Sequence, residues 1–146
     1  MFALDTNLLI YAHNKGSSFH EKAAIFVKKM VAERDEIGQH VVGIPSQTFA
    51  EFINVVTRQT IEQPMTMPQA IVVVEKYLKA NVPIMHPRLM QLQAFLELAK
   101  STTTRKKTFD IFLAATLKDN SIEGLYTVNV DDFKDFTFLK VLNPLV

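Results

Sequence analysis

Three carboxylates and one amide stand where a binding site for a cation would be built. Asp5 closes the apolar run Phe2-Ala3-Leu4, and Asn129 directly follows the run Leu125 to Val128. Each run reads as a short buried strand. In open parallel sheets, ligands bind beyond the carboxyl ends of strands. If the two strands are neighbours, Asp5 and Asn129 face one crevice. Asp110 lies in the first turn of a helix whose other residues, Phe109 and Ile111 to Ala115, are apolar all round. Such a helix belongs in a core, and an ionised Asp at its start is favoured by the helix dipole. Glu51 lies opposite the stripe Phe49, Phe52, Ile53 and Val56, where wheel geometry alone gives a solvated surface residue.

Taken singly, each acid has an ordinary explanation: Asp5 as a helix cap, Asp110 as a dipole partner, Glu51 as surface. Taken together, they pose an electrostatic problem. Carboxylates about 5 Å apart repel by about 3 kcal/mol per pair at an effective dielectric of about 20. Such a group persists if the acids protonate or bind a hard cation. Oxygen donors favour Mg²⁺ or Mn²⁺ over zinc. The chain has no cysteine, which removes thiolate zinc sites, disulfides and a cysteine nucleophile. His13, His20, His40 and His86 have no metal-ligand spacing to one another, and each reads as a surface or loop residue.

The elements that must position these groups follow from periodicity and punctuation. Phe2 to Leu4 reads as a strand, with Thr6 and Asn7 capping a helix through Ala12. Helical spacing runs from His20 to about Glu36, with Ala23, Phe26, Val27, Met30 and Val31 on one face. Val41 to Ile44 is a second strand, closed by Pro45. Ser46 is a candidate N-cap for a helix to about Thr60. Pro64 to Pro68 breaks the chain before a helix over Gln69 to Ala80. Val82 to His86 is a strand, Pro87 opens a helix to Lys100, and Ser101 to Lys107 is a polar, basic loop. Thr108 caps the Asp110 helix, which runs to Leu117. Leu125 to Val128 is a strand, Asp131, Asp132 and Phe133 form a short turn, and Lys140 to Leu142 is a last strand. Alternating strands and helices predict a three-layer α/β fold with a mostly parallel central sheet of about four or five strands.

The chain has 146 residues, 48% of them hydrophobic. That suits one domain spanning 1–146, which buries about two-thirds of its unfolded surface. Sixteen basic and fifteen acidic residues leave a formal net charge of +1. A non-specific nucleic-acid binder is usually more basic, so any attraction to phosphate is local or supplied by metal. The opening MFALDTNLLIYAHN lacks the basic leading segment of a signal peptide. No apolar stretch approaches the roughly 20 residues of a membrane span. A soluble, cytoplasmic protein is the expectation.

At these residues the chain resembles the PIN-domain family, in particular the toxin half of VapBC-type toxin–antitoxin modules. FALDTNLLIYA is similar to the family's apolar strand ending in Asp-Thr-Asn. IPSQTFAEFINVVTR is similar to its Gln-x-x-x-Glu-Phe helix, and TFDIFLAATLKDN to its Asp-x-x-x-Ala-Ala helix. LYTVNVDDF, followed by VLNPLV, is similar to its usual ending. The matches come in the family's order and span nearly the whole chain. The resemblance implies a PIN-like fold and a divalent-metal-dependent endoribonuclease. Asp5, Glu51, Asp110 and Asn129 are then the catalytic residues, and Asp5 and Asp110 the ligands of one or two Mg²⁺ or Mn²⁺ ions. Asn129 stands where many members carry Asp, with Asp131 and Asp132 as substitutes, and Ile111 replaces a residue that is often small. Thr6 and Thr127 are candidates for supporting hydrogen bonds. Lys15, Arg105, Lys106 and Lys107 are candidates for RNA phosphates, with solvated charge the even alternative. RNA, a homodimeric partner and an inhibitory antitoxin are the implied partners. The apolar helices around Phe49 to Val56 and Ile71 to Tyr77 supply either interface or core.

Two other classes compete. A Mg²⁺-dependent phosphohydrolase of the haloacid dehalogenase type needs a second Asp two residues after the first, and that position is Asn7. A non-catalytic RNA-binding or scaffold protein on a decayed PIN fold would lose acids. This chain keeps three, and Asn129 is the feature in favour of decay.

Overall fold

A computed structural model describes residues 1–102 and 104–146. Thr103, inside the polar loop expected over Ser101 to Lys107, lies outside the described residues. Among the described residues the elements are β1 (Phe2–Leu4), α1 (Thr6–His13), α2 (His20–Ala32), β2 (Val42–Pro45), α3 (Ser46–Val56), α4 (Met67–Lys79), β3 (Ile84–Met85), α5 (Gln91–Ala99), a 3-10 turn (Arg105–Lys107), α6 (Thr108–Asp119), β4 (Gly124–Tyr126), α7 (Val130–Phe133) and β5 (Lys140–Leu142).

The five strands form one sheet in the order β3-β2-β1-β4-β5, and all four pairings are parallel. The sheet divides two apolar layers because successive side chains on a strand point to opposite faces. Leu4 joins Val42 and Ile44 in a core shared with α1, α2, α3 and α4. Ala3 joins Met85 and Leu125 in a core with α6, Phe133 and Leu139. The expected three-layer architecture is therefore the observed one. Chain order reverses at β1: β2 and β3 lie to one side of it, β4 and β5 to the other. The carboxyl ends of β1 and β4, where Asp5 and Asn129 follow, are side by side at that switch point.

One glycine is required by close approach. Phe2 pairs with Gly124 across the β1–β4 ladder, and a Cβ at Gly124 would collide with the Phe2 ring. The bare backbone lets Phe2 lie 4.8 Å from Tyr126, centroid to centroid.

Several boundaries differ from the sequence reading, each for a physical reason. Asp5, not Thr6 or Asn7, caps α1, accepting a hydrogen bond from the Thr6 N–H. Ser46 and Thr108 are already helical, and no side chain caps α3 or α6. Thr66 and Gln69 form a capping box, so α4 starts earlier than expected, with Pro68 inside its first turn. α5 starts later than Pro87, at Gln91, whose buried amide donates to the Phe112 carbonyl. α2 stops at Ala32 and α3 at Val56, short of the expected Glu36 and Thr60. The apolar α6 is buried at Ile111 and from Leu113 to Leu117, but Phe109 is 72% exposed. His13 is no surface histidine. It is half-buried, 2.6 Å from the Tyr77 hydroxyl, and burial lowers its pKa to about 4.

Candidate active site

Asp5 is held at both of its carboxylate oxygens. It leaves β1 in an extended conformation and turns directly into α1, so its negative charge meets the positive end of that helix. Its Oδ1 accepts from the Thr6 N–H at 2.8 Å, and its Oδ2 accepts from the Thr127 hydroxyl at 2.6 Å. Thr127 is fully buried, and its Oγ1 in turn accepts the Asn129 N–H at 3.0 Å. Asp5 is 5% exposed. Burial raises its pKa. The bonds from Thr127 and Thr6 pull the other way, while Glu51 and Asp132 push it further up.

Glu51 faces this group from α3. The Thr6 hydroxyl donates to its Oε2 at 2.7 Å, and Gln47 Nε2 donates to its Oε1 at 2.7 Å. Gln47 also reaches the Phe109 carbonyl at 3.1 Å. One amide thus ties α3 to the first turn of α6, beside Asp110. The solvated position that wheel geometry gives Glu51 is corrected: Thr6 of α1 and the first turn of α6 half-bury α3 at Gln47 and Glu51.

Asp110 is half-buried, with its pKa raised to about 6. Burial is the main cause; the charges of Asp132, Asp5 and Glu51 add to it, and Lys107 opposes it. The four groups expected to converge do so. Asp5, Glu51, Asp110 and Asn129 line one cleft of about 300 Å³, together with Thr6, Asn7, Asn54, Arg58 and Phe133. A larger hollow of about 680 Å³, against α1, α2 and α4, has no carboxylate in its lining, so the smaller one is the candidate site.

Not every candidate is there. Asp131 points to solvent and pairs with Lys134 at 3.2 Å, with 91% of its side chain exposed. Asp132 is close enough to act on Asp5 and Asp110 but lines a separate hollow. Lys15 follows the far end of α1, about 12 Å along the axis from Asp5, and is absent from the cleft. Lys107 borders the acids, whereas Arg105 lines a different hollow with Phe95 and Ile111, and Lys106 is exposed on the 3-10 turn. The sequence reading missed Gln47, Asn54 and Arg58. Their signal was the spacing 47, 51 and 54, which puts polar groups at consecutive turns of one face of α3, with Arg58 just past its end.

The cleft offers carboxylate and amide oxygens and no thiol or imidazole. Among the described residues, no three Asp, Glu or His side chains are grouped closely enough to cage a cation as they stand. Mg²⁺ does not require such a cage, since it keeps several waters and takes one or two carboxylates. Asp5 and Asp110 meet that need, and the mutual repulsion of the acids is what a cation would relieve. The donor set fits a hard divalent ion.

Comparison with known proteins places this arrangement. The PIN domain family profile matches residues 2–139. The chain is 26% identical to Ribonuclease VapC24 of Mycobacterium tuberculosis, an alignment covering 99% of this chain and 97% of the relative. Among solved structures it is similar to VapC20 of Mycobacterium tuberculosis, described as a Sarcin-Ricin loop cleaving toxin. That similarity has a TM-score of 0.65 at 18% identity and covers 92% and 94% of the two chains. It is also similar to VapBC-1 of nontypeable Haemophilus influenzae, with a TM-score of 0.66 at 18% identity over 99% and 98%.

Proposed function

The chain belongs to the PIN domain family, and from that premise we propose that it is a divalent-metal-dependent endoribonuclease, the toxin of a VapBC-type module. The observation that carries this reading is convergence. Asp5 after β1, Glu51 on α3, Asp110 on α6 and Asn129 after β4 come from four separate elements and meet in one cleft.

In this reading Asp5 and Asp110 hold the ion, and Asn129 adds an amide oxygen. Bound Mg²⁺ or Mn²⁺ supplies charge neutralisation at the phosphate and acidifies water near neutral pH. The chain's own residues do the rest. Thr127 and the Thr6 N–H fix both Asp5 oxygens, so the carboxylate cannot rotate away from the cleft. Thr6 and Gln47 hold Glu51 with one bond to each oxygen. Its remaining lone pairs face the cleft and accept a proton from the attacking water. Arg58, exposed at the rim, offers its guanidinium to a phosphate.

RNA, an antitoxin and a second copy of the chain are the partners of this reading. The relative VapC24 is named a ribonuclease, and a similar solved structure from Klebsiella pneumoniae is described as a toxin–antitoxin complex. Met67, Ile71, Val72 and Leu78 of α4 are exposed, which gives an apolar face for association. Among the described residues no helix is long and apolar enough to cross a membrane, and the cytoplasm is the proposed location.

The test is incubation of purified protein with mixed RNA, with and without Mn²⁺ or Mg²⁺, beside Asp5→Asn. Cleavage that needs the metal and disappears in the variant is expected. Cleavage that survives both chelator and substitution would overturn the site.

A further inference from the structure

A second hollow, of about 310 Å³, adjoins the acidic cleft with α7 between them. Asn129 and Phe133 bracket α7 on the cleft side. Asp132, between them in sequence, lines the second hollow. At the start of α6 the division repeats: Asp110 lines the cleft and Lys107 the second hollow. The two spaces are thus neighbours that share two walls. The second is also near the lower size limit of small-molecule sites, about 300 Å³.

Its lining is unlike that of the cleft. Lys107, the residue before α6, and Lys118, in its last turn, are eleven positions apart in sequence. Phe136 and Phe138 face them from the segment after α7, with ring centroids 6.3 Å apart. The Lys118 ammonium lies over the Phe138 ring, 5.6 Å from its centroid. Asp135 is exposed and, among the described residues, takes part in no ion pair, unlike Asp131. Aromatic faces, flanking cations and an uncommitted carboxylate are the parts from which single-stranded RNA recognition is built.

We propose that this hollow is a subsite for the nucleotide adjoining the cleaved phosphate. Its base stacks on Phe138 with Phe136 at its edge, its amino edge donates to Asp135, and its phosphate lies on Lys107. A base on the Phe138 face displaces the Lys118 ammonium outward, toward the RNA backbone. The carboxylate sets the preference. Guanine presents two adjacent donors to it, cytosine and adenine one amino group each, and uracil no amino group at all. The subsite rests on the ribonuclease reading for its role in cleavage, but its binding of a nucleotide does not.

Two measurements separate those claims. In chelator, the full chain is titrated with GMP, AMP, CMP and UMP while amide resonances of Lys118, Thr137 and Phe138 are followed by NMR. GMP should shift them at concentrations about tenfold below those UMP needs, and Asp135→Ala should erase that difference. No shift with any nucleotide, or an unchanged difference in the variant, overturns the subsite. In the second arm, short RNAs differing only in the base next to the cut are compared. The ratio of kcat/KM for G over U should collapse toward one in Asp135→Ala, and an unchanged ratio overturns the assignment. If the wild type cuts none of these RNAs, the ribonuclease reading fails, and the titration still decides whether the hollow binds a base.

Discussion

Thr127 donates its hydroxyl to the Asp5 carboxylate at 2.6 Å across the seam between β1 and β4. The two residues are 122 positions apart in sequence and one step beyond the last paired residues of their strands, Leu4 and Tyr126. The parallel register brings them level, and the hydrogen bond converts that register into the orientation of the carboxylate proposed to hold the metal. Thr127→Val keeps the shape and removes the donor, leaving a buried carboxylate oxygen unpaired and the Asn129 N–H without its acceptor. The expected cost is about 1–3 kcal/mol of stability by denaturant unfolding. Ribonuclease activity should fall about 10–100-fold, as for other lost partners of metal ligands. Thr127→Ser should recover most of both; failure of Ser to do so would assign the role to the methyl group.

Asp5 itself should show function and stability opposed. Its carboxylate is buried and its pKa raised, so the ionised form is a strain on the apo fold at neutral pH. Asp5→Asn should abolish activity while leaving the melting temperature equal to or above that of the wild type. A large drop in melting temperature would show that Asp5 is mainly structural.

Cation binding is measurable without substrate. An ion that binds only the folded state stabilises it by mass action, about 2.7 kcal/mol at a hundredfold excess over its Kd. Mn²⁺ should therefore raise the melting temperature of the wild type, and Asp110→Asn should reduce that shift. An equal shift in the variant would place the ion elsewhere.

Arg58, two residues past the end of α3, tests the rim of the cleft. It is exposed, with no ion pair among the described residues, so Arg58→Ala should not unfold the chain. Loss of one phosphate contact should raise KM for RNA several-fold and flatten the salt dependence of binding. An unchanged KM and salt slope would remove Arg58 from the substrate path.

His13 makes stability depend on pH. Its pKa is about 4 in the folded chain, against an ordinary 6.5, because burial disfavours the charged ring; the charges of Lys76 and His20 add to the effect. The unfolded chain therefore takes up the proton first. This contribution is complete above pH 6.5 and is lost as pH falls from 6.5 toward 4, by at most about 3 kcal/mol. Urea unfolding at pH 7, 5.5 and 4.5 should show that slope in the wild type and a shallower one in His13→Gln.

Local order was largely legible in the chain itself. The interleaving of strand signals with helix signals, the breaks at Pro45 and Pro64, and acids at the ends of apolar runs determined the α/β class and singled out Asp5 and Asp110, because these depend on neighbours in sequence. Caps were less legible: Ser, Thr and Asp compete for one role with similar chemistry, and only the backbone angles at Asp5 decided among them. The polar row at 47, 51 and 54 of α3 could be read, but not that its first two members, Gln47 and Glu51, are half-buried. Its fate depends on α1 and α6 arriving from elsewhere. The same holds for His13, a surface residue by composition that packs against Tyr77, sixty-four positions away. Which strands are neighbours, and hence that Thr127 would hold Asp5 while Asp131 turns to solvent, was decided by the tertiary structure alone. Those contacts are set by sheet order and register, which short-range pattern does not encode.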